Sequence, residues 1–131
     1  MTYERIRELI SARMASFAGM TREQIDYPNQ PTVFDPPETG LWCRLNIQYA
    51  TAFMAGMADK PYTRKPGQIV FQCFARRRTH MKSITALADA LEAHFGYWSV
   101  GDLECMEVSQ AVVGDDGNGF FEIIRDVLAF C

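Results

Sequence analysis

Apolar side chains recur along this chain in two rhythms. Between residues 2 and 18 they fall at Ile6, Leu9, Ile10, Met14 and Phe17, with the stem of Arg13 at the edge of the stripe. That three-to-four spacing predicts an amphipathic helix. Thr2 can cap its start, Glu4 suits its first turn, and Gly19 can end it. "TREQ" at 21–24 has the form of a capping box and predicts one further helical turn. The same rhythm returns over 79–96, at Met81, Ile84, Leu87, Ala88, Leu91 and Phe95, with Thr79 as N-cap and Gly96 at the stop position. Elsewhere the period is two. Leu41, Cys43, Leu45, Ile47 and Tyr49 alternate with Trp42, Arg44, Asn46 and Gln48, which predicts a strand with one buried face. A second strand is expected over 67–77, with Ile69, Phe71, Cys73 and Ala75 on one side. Residues 103–113 and 120–130 read as two more, joined by a turn that contains Asn118-Gly119.

The order helix, strand, strand, helix, strand, strand predicts one α+β domain over 1–131. Its expected architecture is a single, mainly antiparallel sheet of four strands or slightly more, with two helices packed on one face. The first strand is expected to pair antiparallel with the second. Two connections break the economy of this plan. Residues 27–39 form a proline-rich arm: four of the six prolines, Pro28, Pro31, Pro36 and Pro37, fall within ten residues. Proline disfavours helical backbone in the residue before it, so the arm is expected to be extended. Residues 50–66 are longer than a hairpin turn requires, and long connections in small domains are usually functional or disordered. They combine Phe53, Met54 and Met57 with Lys60, Arg64 and Lys65, an apolar stretch rimmed by charge.

Composition narrows the chemistry. Apolar residues make up 48% and charged residues 22% of the 131, the balance of a globular chain. The net charge of −3 gives no reason to expect non-specific DNA binding. No apolar run reaches membrane-span length, and "MTYERIRELISARM" lacks the apolar region of a signal peptide. Cys43, Cys73, Cys105 and Cys131 form no CxxC pair and read as small buried hydrophobes or edge thiols. "DDGNG" at 115–119 has the wrong spacing for an EF-hand and reads as a turn. His80 and His94 lie about four turns apart along one helix, too far to share a ligand. The run Arg76-Arg77-Arg78 reads as a solvated loop, a docking contact to acidic groups of a neighbouring subunit, or a nucleic-acid contact for which so short a run supplies few phosphate contacts. No catalytic, cofactor-binding or metal-ligating set can be assembled. The candidate interface residues are Phe53, Met54, Met57, Lys60, Arg64, Lys65, Arg76, Arg77 and Arg78.

Taken in order, several pieces resemble one family. They are the N-terminal amphipathic helix; "IDYPNQPTVFDPPETGLWCRLNI" with Gly40 and Trp42 before an alternating strand; "RKPGQIVFQCF" with Arg64 and Gly67; "LADALEAHF"; and two closing strands around a polar turn. This arrangement resembles the tail terminator and minor tail proteins of long-tailed, lambda-like phages. The match departs at Arg76-Arg77-Arg78, where a small glycine-containing turn is expected. The resemblance implies a non-enzymatic structural protein without cofactor, found in the virion tail and assembled in the cytoplasm of the bacterial host. It implies a ring of copies, a hexamer by expectation, that caps the tail tube, stops its growth and docks the head. The implied partners are therefore the chain itself, the tail tube protein and a head-completion or connector protein. Membrane and sequence-specific nucleic acid are not among them. Two other readings stand beside it: another neck or tail-completion protein, and a small α+β ligand-binding domain or enzyme.

Overall fold

The computed structural model describes residues 2–28, 34, 40–54, 63–76, 81–115, 117 and 120–130. Most of the proline-rich arm and the tip of the 50–66 connection lie outside this set. So do Met57, Lys60, Arg77, Arg78, Thr79, His80, Asn118, Gly119 and Cys131.

Helix α1 spans Tyr3–Ala15, and the Thr2 side chain accepts the Arg5 N–H at 3.1 Å. It stops at Ser16, short of Gly19, where the Phe17 N–H bonds instead to Met14 O at 3.1 Å and the Phe17 side chain buries. The capping box is present as a single 3-10 turn, Arg22–Gln24, in which Gln24 Oε1 accepts the Thr21 N–H at 2.9 Å. Strand β1 follows at once, Ile25–Asp26. Then come β2, Trp42–Tyr49; β3, Phe53–Met54; β4, Thr63–Arg64; and β5, Gly67–Arg76. Helix α2 is Met81–Phe95, followed by β6, Ser99–Val100; β7, Leu103–Asp115; and β8, Phe120–Phe130.

The expected mainly antiparallel sheet of four strands is corrected on two counts. The main sheet has six strands, in the order β1-β2-β5-β8-β7-β6, and it is mixed because β1 runs parallel to β2. It also curls, as half of a barrel would. The two strands missing from the pattern have two residues each, too short for a period of two to register. Parallel pairing needs a connection of about a dozen residues or more, and residues 27–41 separate β1 from β2 in the chain. A second, separate sheet holds only β3 and β4. The pairing of β2 with β5 is antiparallel and regular from Trp42↔Phe74 to Tyr49↔Gly67, as the alternation predicts.

Both helices enter one core. Ile6, Ile10, Met14 and Phe17 of the first helical region join Ile84, Leu87, Ala88, Leu91 and Phe95 of α2. They meet Cys43, Leu45, Ile69, Phe71, Cys73, Ile123 and Val127 from one face of the sheet. Leu9 is only partly buried at its margin, and Met81, expected on the stripe, is exposed at the first turn of α2. A reciprocal clasp ties the helix ends together. Arg13 donates from Nε and Nη2 to His94 O, at 3.1 and 2.7 Å, while His94 Nε2 lies 2.8 Å from Arg13 O.

Candidate assembly surface

The β3–β4 ribbon leaves the main sheet where β2 ends and β5 begins. Ala50 N–H donates to Pro66 O at 2.9 Å, which closes the junction, and Phe53 and Met54 then face Arg64 and Thr63 across the ribbon. β2 and β5 approach so closely at the junction that a Cβ on Gly67 would meet Gln48 O at 2.5 Å. Glycine is required there by space. Phe53 is 50% and Met54 64% exposed. Beside the junction lies a groove of about 200 Å³ lined by Gln48, Tyr49, Ala50, Pro66, Gly67, Gln68 and Leu128. Tyr49 packs edge-on against Tyr3 at 4.8 Å, and the Lys65 ammonium sits 5.5 Å from the same Tyr3 ring. Burial raises the Tyr49 pKa above its ordinary value, with Tyr3 adding to the shift.

The sequence-predicted interface residues therefore fall into two places. Phe53, Met54, Arg64 and Lys65 share the ribbon end. Arg76 lies at the far end of β5, about 30 Å away at the usual rise per residue of a strand. There it is half-buried, with its guanidinium 4.5 Å from the Phe120 ring. Met57, Lys60, Arg77 and Arg78 lie outside the described residues.

Arg76 borders a feature the alternation pattern missed. On the sheet face away from the helices, Trp42 stacks on Phe74 at 4.1 Å, with Phe120 edge-on at 5.5 Å and Phe34 at 5.1 Å. Trp42 is 4% exposed, and its indole Nε1 is buried without a hydrogen-bond partner among the described residues. The Arg44 guanidinium lies 5.5 Å from the Trp42 ring. Phe34 thus packs on the outer face of the sheet. The available signal was that Trp42 and Phe74 occupy polar-face positions of their strands, where a large aromatic has no reason to sit unless something covers it.

A second missed residue is Arg125. It points from β8 toward the helices, 6% exposed, and donates to Ala88 O at 3.1 Å, Asp89 at 2.8 Å and Glu92 at 3.3 Å. Its guanidinium bridges β8 to the Ala88–Glu92 turn of α2. The cysteines behave as buried groups. Cys43 and Cys73 are cross-strand partners. Their thiol hydrogen bond, reinforced by burial, pushes the Cys43 pKa well up, and burial pushes Cys105 up to about 11. Neither is a thiolate near neutral pH.

No protein-family model matches the chain, and no curated protein matches it. A solved structure that carries only a sequence identifier for a name superposes with a TM-score of 0.69 over 99% of this chain and 94% of its own, at 18% identity. Identity at that level shows a shared fold.

Proposed function

We propose that the chain is a ring-forming structural subunit of a phage or prophage tail, of the tail terminator kind, which caps the tail tube and presents a surface to the head. The observation that supports this reading most is the ribbon. The apolar core is already complete between the helices and the sheet. Yet the chain spends residues 50–66 on an excursion that leaves Phe53 and Met54 largely exposed beside Arg64 and Lys65. Exposed apolar residues rimmed by charge are what a partner-binding surface needs and what a solvated monomer avoids.

The test replaces Met54–Arg64 by a tight turn. The shortened protein is expected to keep its far-ultraviolet spectrum and cooperative melting, to lose ring formation in size-exclusion chromatography with light scattering, and to fail to restore tail length in a complementation assay. Normal rings and normal tails from the shortened protein remove the ribbon from the interface. Failure of the unaltered protein to cap tails, seen as tails of uncontrolled length in electron micrographs, overturns the terminator reading itself.

A further inference from the structure

The main sheet has two open edges, and they differ in a complementary way. At one edge β1 covers only Cys43 and Arg44 of β2, so Leu45–Tyr49 has no strand on its outer side among the described residues. The Ile47 N–H bonds to its neighbour's side chain, Asn46 Oδ1 at 2.9 Å, and therefore points away from β5. In a regular antiparallel pair such residues alternate, so the peptide groups of Leu45 and Tyr49 face outward as well. At the other edge β6 pairs with Leu103 and Glu104, and Tyr97 and Trp98 bond as far as Met106 and Cys105. Beyond them the outer side of β7 carries no partner strand among the described residues. Ser109 to Val113 are all exposed, Val112 at 58% and Val113 at 50%. Register shifts bracket a regular run, Val108–Val112, which contains no charged residue. A long, uncharged, exposed edge is a template for another strand, and proteins that stay monomeric blunt such edges with charge or cover.

We propose that the Val108–Val112 edge of β7 adds antiparallel to the Leu45–Tyr49 edge of β2 in a second copy of this chain, which joins subunits head to tail into one continuous sheet. The inference rests on the ring reading above and names its contact. Three observations choose this partner. The two open segments match in length, five residues each. Strand directions alternate through β2, β5, β8 and β7, so β7 meets the β2 of a rotated copy antiparallel. Charge decides between β2 and a second β7. Placing Val108 opposite Tyr49 and Val112 opposite Leu45 ends the new pairing where β1 begins, with Arg44 already paired to Asp26, and brings Glu107 to the end that holds Arg64 and Lys65. Self-pairing of β7 centred on Gln110 instead sets Glu107 diagonal to Asp115 of the other copy, acid against acid. Within one subunit Val108 lies level with Ile47, through Val127 and Ile69. Across the joint it lies level with Tyr49, two residues further on. A steady stagger of this kind is what tilted strands need to close a ring. Contacts between two different surfaces generate rings, whereas a two-fold contact stops at a dimer.

The experiment compares the unaltered chain with Val112→Lys/Val113→Lys, by light scattering across protein concentration and by amide hydrogen exchange. Both valines are exposed, so the fold tolerates lysine there, and melting curves verify it. The unaltered chain is expected to form oligomers larger than a dimer. On assembly, exchange should slow in both 45–49 and 108–112. The variant should need about tenfold or more higher concentration to assemble. Rings that the lysine variant forms equally well, or slowed exchange at neither edge, overturn the edge contact and leave the ring reading standing. A dimer with slowed exchange in 108–112 alone overturns it in favour of self-paired β7. A chain that is monomeric at every concentration overturns the ring reading together with the contact.

Discussion

The two faces of the sheet solve the same problem differently. The inner face presents Cys43, Leu45, Ile69, Phe71, Cys73, Ile123 and Val127 to two helices and buries them almost completely. The outer face mixes polar side chains, among them Arg44, Asn46, Gln48, Gln68, Gln72, Glu122 and Asp126, with the apolar Val70, Ile124 and Leu128. It hides a single aromatic patch, Trp42, Phe74, Phe120 and Phe34. The inner face carries one buried cation, Arg125, whose hydrogen-bonding groups are satisfied from α2. The outer patch carries a buried indole N–H with no partner among the described residues. The inner face is therefore a finished core, while the outer one is a local cover over one end of three strands. That difference predicts how unequally the two respond to damage.

The largest effect is expected at the centre of the inner face. Phe71 is fully buried and packs 4.8 Å from the Phe95 ring, joining the middle strand to α2. Phe71→Ala should cost about 3–5 kcal/mol in denaturant unfolding, and Leu87→Ala about 2–5 kcal/mol. Losses below 1 kcal/mol for both would mean that the helices do not close over this face.

Arg125 comes next. Its two carboxylate partners are mostly exposed, with side-chain accessibilities of 66% for Asp89 and 52% for Glu92, so they rehydrate when the arginine is removed. Arg125→Met keeps the bulk of the stem and leaves no buried carboxylate stranded. The expected loss is about 1–2 kcal/mol, below the range for breaking a buried ion pair. A loss of 4 kcal/mol or more would show that the guanidinium holds α2 in place.

The outer patch should be more forgiving. Trp42→Phe removes apolar contact with Phe74 but also removes an N–H that is buried without a partner. These terms oppose each other, and the net change is expected to stay within about 1 kcal/mol. A clear destabilisation would mean that the indole N–H has an acceptor in the folded chain.

How much of this was legible in sequence follows from the same contrast. Long elements with a steady period announced themselves: α1, α2, β2, β5, β7 and β8 all lie close to where the periodicity puts them. Ile25–Asp26 and Ser99–Val100 did not, because a strand of two residues has no period, and they are what turn four strands into six. Trp42 was assigned to the solvent face because alternation assumes one buried face, and the small aromatic cover on the other breaks that assumption. Arg125 was invisible because nothing local in "EIIRDVLAF" reveals acceptors 33 to 37 residues earlier in the chain. For the assembly surface, the sequence singled out Phe53 and Met54 through an overlong connection. It could not reveal the open β7 edge, since an edge is a property of strand order and β6 was unseen.

The smallest expected effect concerns pH and tests how dry the inner face is at its β7 end. Cys105 is 3% exposed, and burial raises its pKa from an ordinary 9.0 to about 11. In the folded chain the thiol therefore keeps its proton after the unfolded chain has begun to release it. Between those values the native state binds more protons than the unfolded state, so unfolding free energy must fall as pH rises. The contribution of Cys105 is fully present below pH 9 and is lost progressively toward pH 11. Cys43, raised by its bond to Cys73, pulls in the same direction, as do Tyr27 and Tyr49, raised by burial. The slope of stability against pH for the whole chain thus identifies no single group, but the difference in slope between it and Cys105→Ala does. Denaturant unfolding at several pH values from 8 to 11 should give a shallower decline for Cys105→Ala. Parallel declines would mean that water reaches Cys105 in the folded state, and that the inner face is open where β7 joins it.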